Sequence, residues 1–85
     1  MSHGYPADSP TVRRHDRAIG FSPSPNGSYI RAWWTHDGNP IGAYSSFEEA
    51  VQAGLEALGC DDRAEIERET ARITAEFHAV DWPLA

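Results

Sequence analysis

One stretch constrains this chain more than any other. Residues Ser28 to His36 alternate small or polar positions with large apolar ones, run into Asp37-Gly38, and are answered by Pro40 to Tyr44. A period of two is the signature of a strand with two unlike faces. Asp-Gly between two such runs is the strongest short hairpin signal, and it points to a type I′ turn. With Asp37 and Gly38 at the tip, His36 faces Asn39, Thr35 faces Pro40, Trp34 faces Ile41, Trp33 faces Gly42, Ala32 faces Ala43 and Arg31 faces Tyr44. One face then holds Ile30, Ala32, Trp34, Ile41 and Ala43, and the other holds Tyr29, Arg31, Trp33, Gly42 and Tyr44. This register places Pro40 in a non-hydrogen-bonded pair, where its missing N–H costs no ladder bond. It also lays Trp33 over Gly42, a common way of covering a bare glycine.

The flanking segments extend this hairpin. Arg17–Ser22 reads as an earlier strand, with Ile19 and Phe21 on the face of Ile30 and Trp34, and Pro23-Ser24-Pro25-Asn26-Gly27 is turn chemistry. Ser45 and Ser46, followed by Glu48 and Glu49, are overlapping capping-box signals. Phe47, Val51, Leu55 and Leu58 then recur on one helical face, ending at Gly59, a natural residue after a helix C-terminus. Asp61 or Asp62 caps a second helix, along which Ile66, Thr70, Ile73, Phe77 and Val80 form a stripe. The expected fold is α+β: a three-stranded antiparallel meander followed by two helices (β-β-β-α-α), at least one of them packed on one sheet face. Residues 1–16 read as a flexible N-terminal tail and 17–85 as a single domain.

Composition narrows the class. The chain has 85 residues, 40% of them apolar and 24% charged, as in an ordinary folded domain. All its fixed side-chain cations are arginine. The net charge of −6 is uneven: residues 1–44 sum to +1 and residues 45–85 to −7. An acidic balance disfavours direct binding to nucleic acid or anionic membrane, which needs phosphate neutralisation. A single cysteine, Cys60, rules out an internal disulfide framework and suits a reducing compartment, so a cytoplasmic location is expected. No run approaches the ~18 apolar residues of a membrane span, and the N-terminus lacks the apolar core of a signal peptide.

The chemistry-bearing residues fall into three groups. Tyr29, Arg31, Trp33 and Tyr44 gather on the outward sheet face, where arginine between aromatic rings invites cation–π stacking. These residue types dominate protein-interface hot spots. The plainer reading is that the tail or the second helix covers them. The carboxylates of the helices, Glu65, Glu69 and Glu76 among them, form an acidic surface. That surface is an ordinary solvated face with pairs such as Arg63–Glu67 and Arg72–Glu76, or else an anionic decoy for a basic groove. His3, His15, His36 and His78 have no metal-ligand spacing with Cys60, so no metal or cofactor is expected. The second-helix stripe is short for a coiled coil and reads first as core, with a homodimer as the alternative.

Gly27, Tyr29, Gly38, Ile41, Tyr44 and Ala50, in that order within residues 26–59, resemble small sheet-then-helix modules such as YegP-like repeats and antitoxin-type domains. The size, acidity and lack of motifs are similar to those of phage-encoded inhibitors, anti-CRISPR proteins included. No functional residue carries over from either resemblance. No phosphate loop, catalytic carboxylate pair or nucleophile elbow is present, which weighs against an enzyme. The sequence therefore reads as a small non-catalytic protein-binding module, an inhibitor or adaptor using the aromatic and arginine face. Two alternatives stand beside it: an acidic decoy that inhibits a nucleic-acid-handling complex, and a small enzyme or ligand-binding protein without a known motif.

Overall fold

The computed structural model describes residues 9–82, which form a four-stranded antiparallel sheet and two helices. The strands are β1 (Thr11–Arg14), β2 (Arg17–Pro23), β3 (Ile30–Trp34) and β4 (Pro40–Tyr44); the helices are α1 (Phe47–Ala57) and α2 (Arg63–Ala79). The sheet order is β1-β2-β3-β4, a simple meander, so β1 and β4 are its edges. The three expected strands are present, and a fourth precedes them.

That fourth strand corrects the expectation of a tail running to residue 16. Residues 1–8 lie outside the described residues, but Thr11–Arg14 pair with β2, Val12 opposite Ile19 and Arg14 opposite Arg17. Val12 supplies the reason: it is 1% exposed and belongs to the core cluster. Only two residues, His15 and Asp16, connect the strands, and His15 takes a left-handed backbone with φ 60° to make so tight a reversal. Nothing in the Arg13-Arg14-His15-Asp16-Arg17 run resembles an Asn-Gly turn, and a single buried valine is a weak periodic signal.

The inner sheet face carries Val12, Ile19, Phe21, Ile30 and Ala32. It packs against Ala50, Val51, Leu55 and Leu58 of the α1 segment and Ile66, Ile73 and Phe77 of α2. The chain approaches closely at Gly54, where an added Cβ would stand 3.1 Å from the Phe21 ring. Helix α1 begins where the capping signals placed it: Ser46 is the N-cap and its hydroxyl accepts from the Glu49 N–H. It ends in a Schellman arrangement, with the Gly59 N–H bonded to the Glu56 carbonyl and the Cys60 N–H to that of Leu55. Asp62 caps α2 by accepting from the Ala64 N–H. The α2 stripe is spent inside the chain: Ile66, Ile73 and Phe77 are buried. Thr70 turns its hydroxyl onto the Ile66 carbonyl. The Trp82 ring lies 4.9 Å from Phe77, and its indole N–H donates to the Phe77 carbonyl. Pro83, Leu84 and Ala85 lie outside the described residues.

The β3–β4 register differs from the expected one. The connection is a four-residue loop, Thr35–Gly38, closed by the Trp34 N–H on the Asn39 carbonyl and the Gly38 N–H on the Trp34 carbonyl. A type I′ turn needs left-handed backbone at both central residues. Here Gly38 alone supplies it, with φ 75°. Asp37 instead uses its carboxylate to accept from the backbone and side-chain N–H groups of Asn39, a local bond that competes with the I′ geometry. The longer loop moves the pairing two residues out of step, so that Trp33 faces Pro40. An irregularity between Ala32 and Trp33 then leaves Ile41 as an extra residue. Beyond this bulge the shift is one residue: Ala32 pairs with Gly42, Arg31 with Ala43 and Ile30 with Tyr44. A two-residue slip preserves the faces, whereas a one-residue slip exchanges them. The sides of β3 therefore stand as read, with Ile30 and Ala32 buried. Gly42 and Tyr44 change to the helix side, and Ala43 changes to the outer side.

The central strand β2 has no exposed residue after Arg17. Its outer side, Ala18, Gly20 and Ser22, is shielded in part by the Trp33 ring, which an added Cβ at Gly20 would meet at 2.5 Å. Gly20→Ala should therefore displace the indole and destabilise the fold by about 1–3 kcal/mol. The measurement is a lowered urea midpoint with an unchanged slope.

Candidate functional site

The four residues singled out on the outward face separate into two places. Arg31 and Trp33 stay together on the outer side of β3, both half-buried. Tyr44 does not join them: through Ile30 it faces the helices, packs against the core, and lays its ring over Gly42. Tyr29 precedes β3 and is 53% exposed. The Ser24 hydroxyl accepts from the Tyr29 N–H, and the Tyr29 carbonyl accepts from the Ser24 N–H, closing the loop before it. The expected covering of glycine by an aromatic ring is present twice with other partners, Trp33 over Gly20 and Tyr44 over Gly42.

Trp33 is anchored as well as stacked. Its indole N–H donates to the hydroxyl of Ser22, fully buried on β2, at 3.0 Å. Neither helix covers this side of the sheet, since both pack on the opposite face. A shallow groove of about 470 Å³ runs along it, lined by Arg31, Trp33, Gly38, Pro40, Gly42 and Ala43. Sequence reasoning placed Arg31 and Trp33 on this face and missed Pro40 and Ala43; Gly42, on the helix side after the bulge, lines the groove with backbone alone. Only the bulge brings Ala43 round, and no residue type announces it.

A second groove, of about 430 Å³, lies on the other side of β4, against α1. Tyr29 and Tyr44 form one wall, Glu49, Gln52 and Glu56 the other, and Ser45 and Ala53 lie between them. The Glu49 carboxylate accepts from the Ser45 hydroxyl and that of Glu56 from the Gln52 amide, so both are oriented and keep further acceptor capacity. The sequence marks Glu49 as a capping residue and as part of the acidic surface of the helices, and neither signal places it opposite Tyr29 and Tyr44.

Arg17 stacks on Trp34, its guanidinium carbon 4.4 Å from the ring centre on the helix side of the sheet. The acidic surface is also more engaged than its composition suggests. Arg72 takes up Glu69 and Glu76, and donates to the Thr11 carbonyl at 2.8 Å. Glu65 accepts from the Cys60 thiol at 3.4 Å. Partial burial works against the charge on Arg72, but its hydrogen bonds to Glu69 and Glu76 outweigh that and raise its pKa above the ordinary arginine value. Arg63, expected to pair with Glu67, reaches across to Glu48 of α1 at 3.1 Å, tying the helices together.

Cys60 is a free thiol, buried at the start of the α1–α2 connection. Among the described residues, no group of three or more His, Cys, Asp or Glu side chains is placed to hold a metal ion, and no helix is long and apolar enough to cross a membrane. No protein-family model, curated protein or solved structure matches this chain.

Two substitutions test this description. Trp33→Phe keeps a ring over Gly20 but strands the buried Ser22 hydroxyl, and should lower stability by about 1–3 kcal/mol in urea unfolding. Arg72→Ala releases an exposed ion pair network, which limits its cost to about 1 kcal/mol. Its sharper signature is faster amide hydrogen exchange in Thr11–Arg14, while the amides of β3 stay protected.

Proposed function

We propose that this chain is a small non-catalytic protein-binding module, an inhibitor or adaptor, whose contact surface is the outer sheet face centred on Arg31 and Trp33. The observation that carries this reading is the groove lined by Arg31, Trp33, Pro40, Gly42 and Ala43 on the side of the sheet that neither helix covers. Tryptophan and arginine give the largest losses when truncated at interfaces, most of all where a rigid ring sits in a partly desolvated setting. Trp33 is held in place before any partner arrives, by Gly20 beneath it and by Ser22 at its N–H. Preorganisation of this kind reduces the entropy lost on association.

The decoy reading has less to rest on. Glu69 and Glu76 share the single positive charge of Arg72, and Glu65 is engaged by Cys60. An enzyme or carrier would favour an enclosed, mostly apolar cavity with a few convergent polar groups. Both grooves here are open to solvent, and the hydroxyl–carboxylate pair of Ser45 and Glu49 in one of them is itself exposed. The free, core-facing thiol of Cys60 fits action in a reducing cytoplasm.

The test begins with a partner isolated from source cells by the full chain, identified and purified, with affinity then measured by calorimetry. Arg31→Ala and Trp33→Ala should each weaken binding by about 30-fold, the scale of a hot-spot residue. Pro40→Glu, which places a charge at the exposed groove rim without touching the core, should do the same if Trp33→Ala fails to fold. Undiminished affinity for Arg31→Ala and Pro40→Glu, with native circular dichroism, removes this surface from consideration.

A further inference from the structure

The two edges of the sheet are not equivalent. In an antiparallel ladder successive residues turn their N–H and C=O groups alternately to one neighbour and to the other. At β1 the Thr11 carbonyl turns away from β2, and Arg72 of α2 donates to it. That edge is covered by a side chain of its own domain. At β4 the Trp34 N–H bonds to the Asn39 carbonyl, so alternate residues Ala32 and Ile30 also turn their backbone groups to β4. Their partners Gly42 and Tyr44 answer them. Ala43, exposed and opposite Arg31, therefore turns its N–H and C=O outward along the sheet edge.

This edge runs beside the groove walled by Tyr29, Tyr44, Glu49, Gln52 and Glu56. A strand added to β4 would bond to the outward backbone of Ala43 and send alternate side chains over α1. They would meet two oriented carboxylates, an amide and two phenol rings, with no cation among the lining residues. Glu49 and Glu56 lie seven positions apart on one helix, a rise of about 10 Å. Same-face side chains of a strand are about 7 Å apart, and the long stems of lysine and arginine make up the difference. The exposed ring of Tyr29 can also stack on a guanidinium or ammonium.

We infer that the β4 edge and its α1 groove form a second docking site, which takes a short, extended, lysine- or arginine-bearing segment of another protein by strand addition. Charge complementarity selects this occupant. A second copy of this chain is disfavoured by the same features: its own paired arginines, Arg13 and Arg14, lie on β1, whose edge Arg72 already meets. Pro40 and the bulge at Ile41 confine pairing to the neighbourhood of Ala43, as natural edges do to prevent open-ended association. The inference goes beyond the outer-face reading and does not use Arg31 or Trp33.

The experiment is a titration of the full chain, labelled with nitrogen-15, with a capped peptide of about eight residues alternating lysine and threonine. Binding should shift the amides of Gly42–Ser45 and protect that of Ala43 from exchange. The Glu49→Gln, Glu56→Gln double variant should weaken it about threefold to tenfold, while Arg31→Ala leaves it unchanged. Replacing threonine by proline in the peptide, which removes strand donors, should abolish it. The proposal is overturned if about 1 mM peptide gives no shifts at this edge, or if the proline peptide or a glutamate–threonine peptide binds equally well. Titration with the unlabelled chain that shifts the same amides would assign the edge to a second copy and overturn it too.

Discussion

The structure depends on burying β2 from both sides. Ile19 and Phe21 are wholly buried against the helices, and Ala18, Gly20 and Ser22 are buried on the opposite face. A two-layer domain of this size can cover only one sheet face with helices. The outer side of the central strand therefore needs cover from elsewhere than the helices, and among the described residues Trp33 provides some of it by leaning across from β3. Gly20 is the price of that contact, since any side chain there collides with the indole. Holding Trp33 down in this way also leaves it half-buried at the wall of an open groove.

The second organising element is the bulge at Ile41. Without it, the longer Thr35–Gly38 loop would shift the pairing by two residues and return every β4 side chain to the face read from the sequence. The extra residue makes the shift odd. Ile41 stays against the core, while Tyr44 goes in over Gly42 and Ala43 comes out opposite Arg31. One inserted residue thus creates both grooves: it clears the outer face of a large ring and turns that ring towards α1. Bulges concentrate at sheet edges and beside sites because they re-aim side chains at little cost to the rest of the ladder.

Charge is distributed according to the same asymmetry. Two acids of α2, Glu69 and Glu76, are bound by Arg72 beside the β1 edge. Those of α1 near β4 are held by a serine hydroxyl and a glutamine amide, which orient a carboxylate without neutralising it. Salt will screen these exposed groups, so their influence on a partner is selective more than strong. A domain with one edge closed by its own arginine and the other flanked by free carboxylates is electrically and geometrically polar across its sheet.

Much of this was legible in the residues. Helix starts and stops followed from Ser46, Asp62 and Gly59, because capping is a local exchange of hydrogen bonds between near neighbours. The faces of β3 and the two helical stripes followed from periodicity, because burial against a single core imposes it. Three features were decided only by tertiary structure. The first strand rests on Val12 finding Ile19 and the core beneath it, a contact that leaves one apolar residue in a polar run. The turn rests on whether Asp37 spends its carboxylate on Asn39 or allows a left-handed backbone, two options that the Asp-Gly signal alone does not separate. The side taken by Tyr44 rests on the bulge, and a bulge is set by how two strands and a helix fit together. Periodicity reports which positions are buried along one segment; how segments are offset from one another is settled by packing between residues distant in the chain.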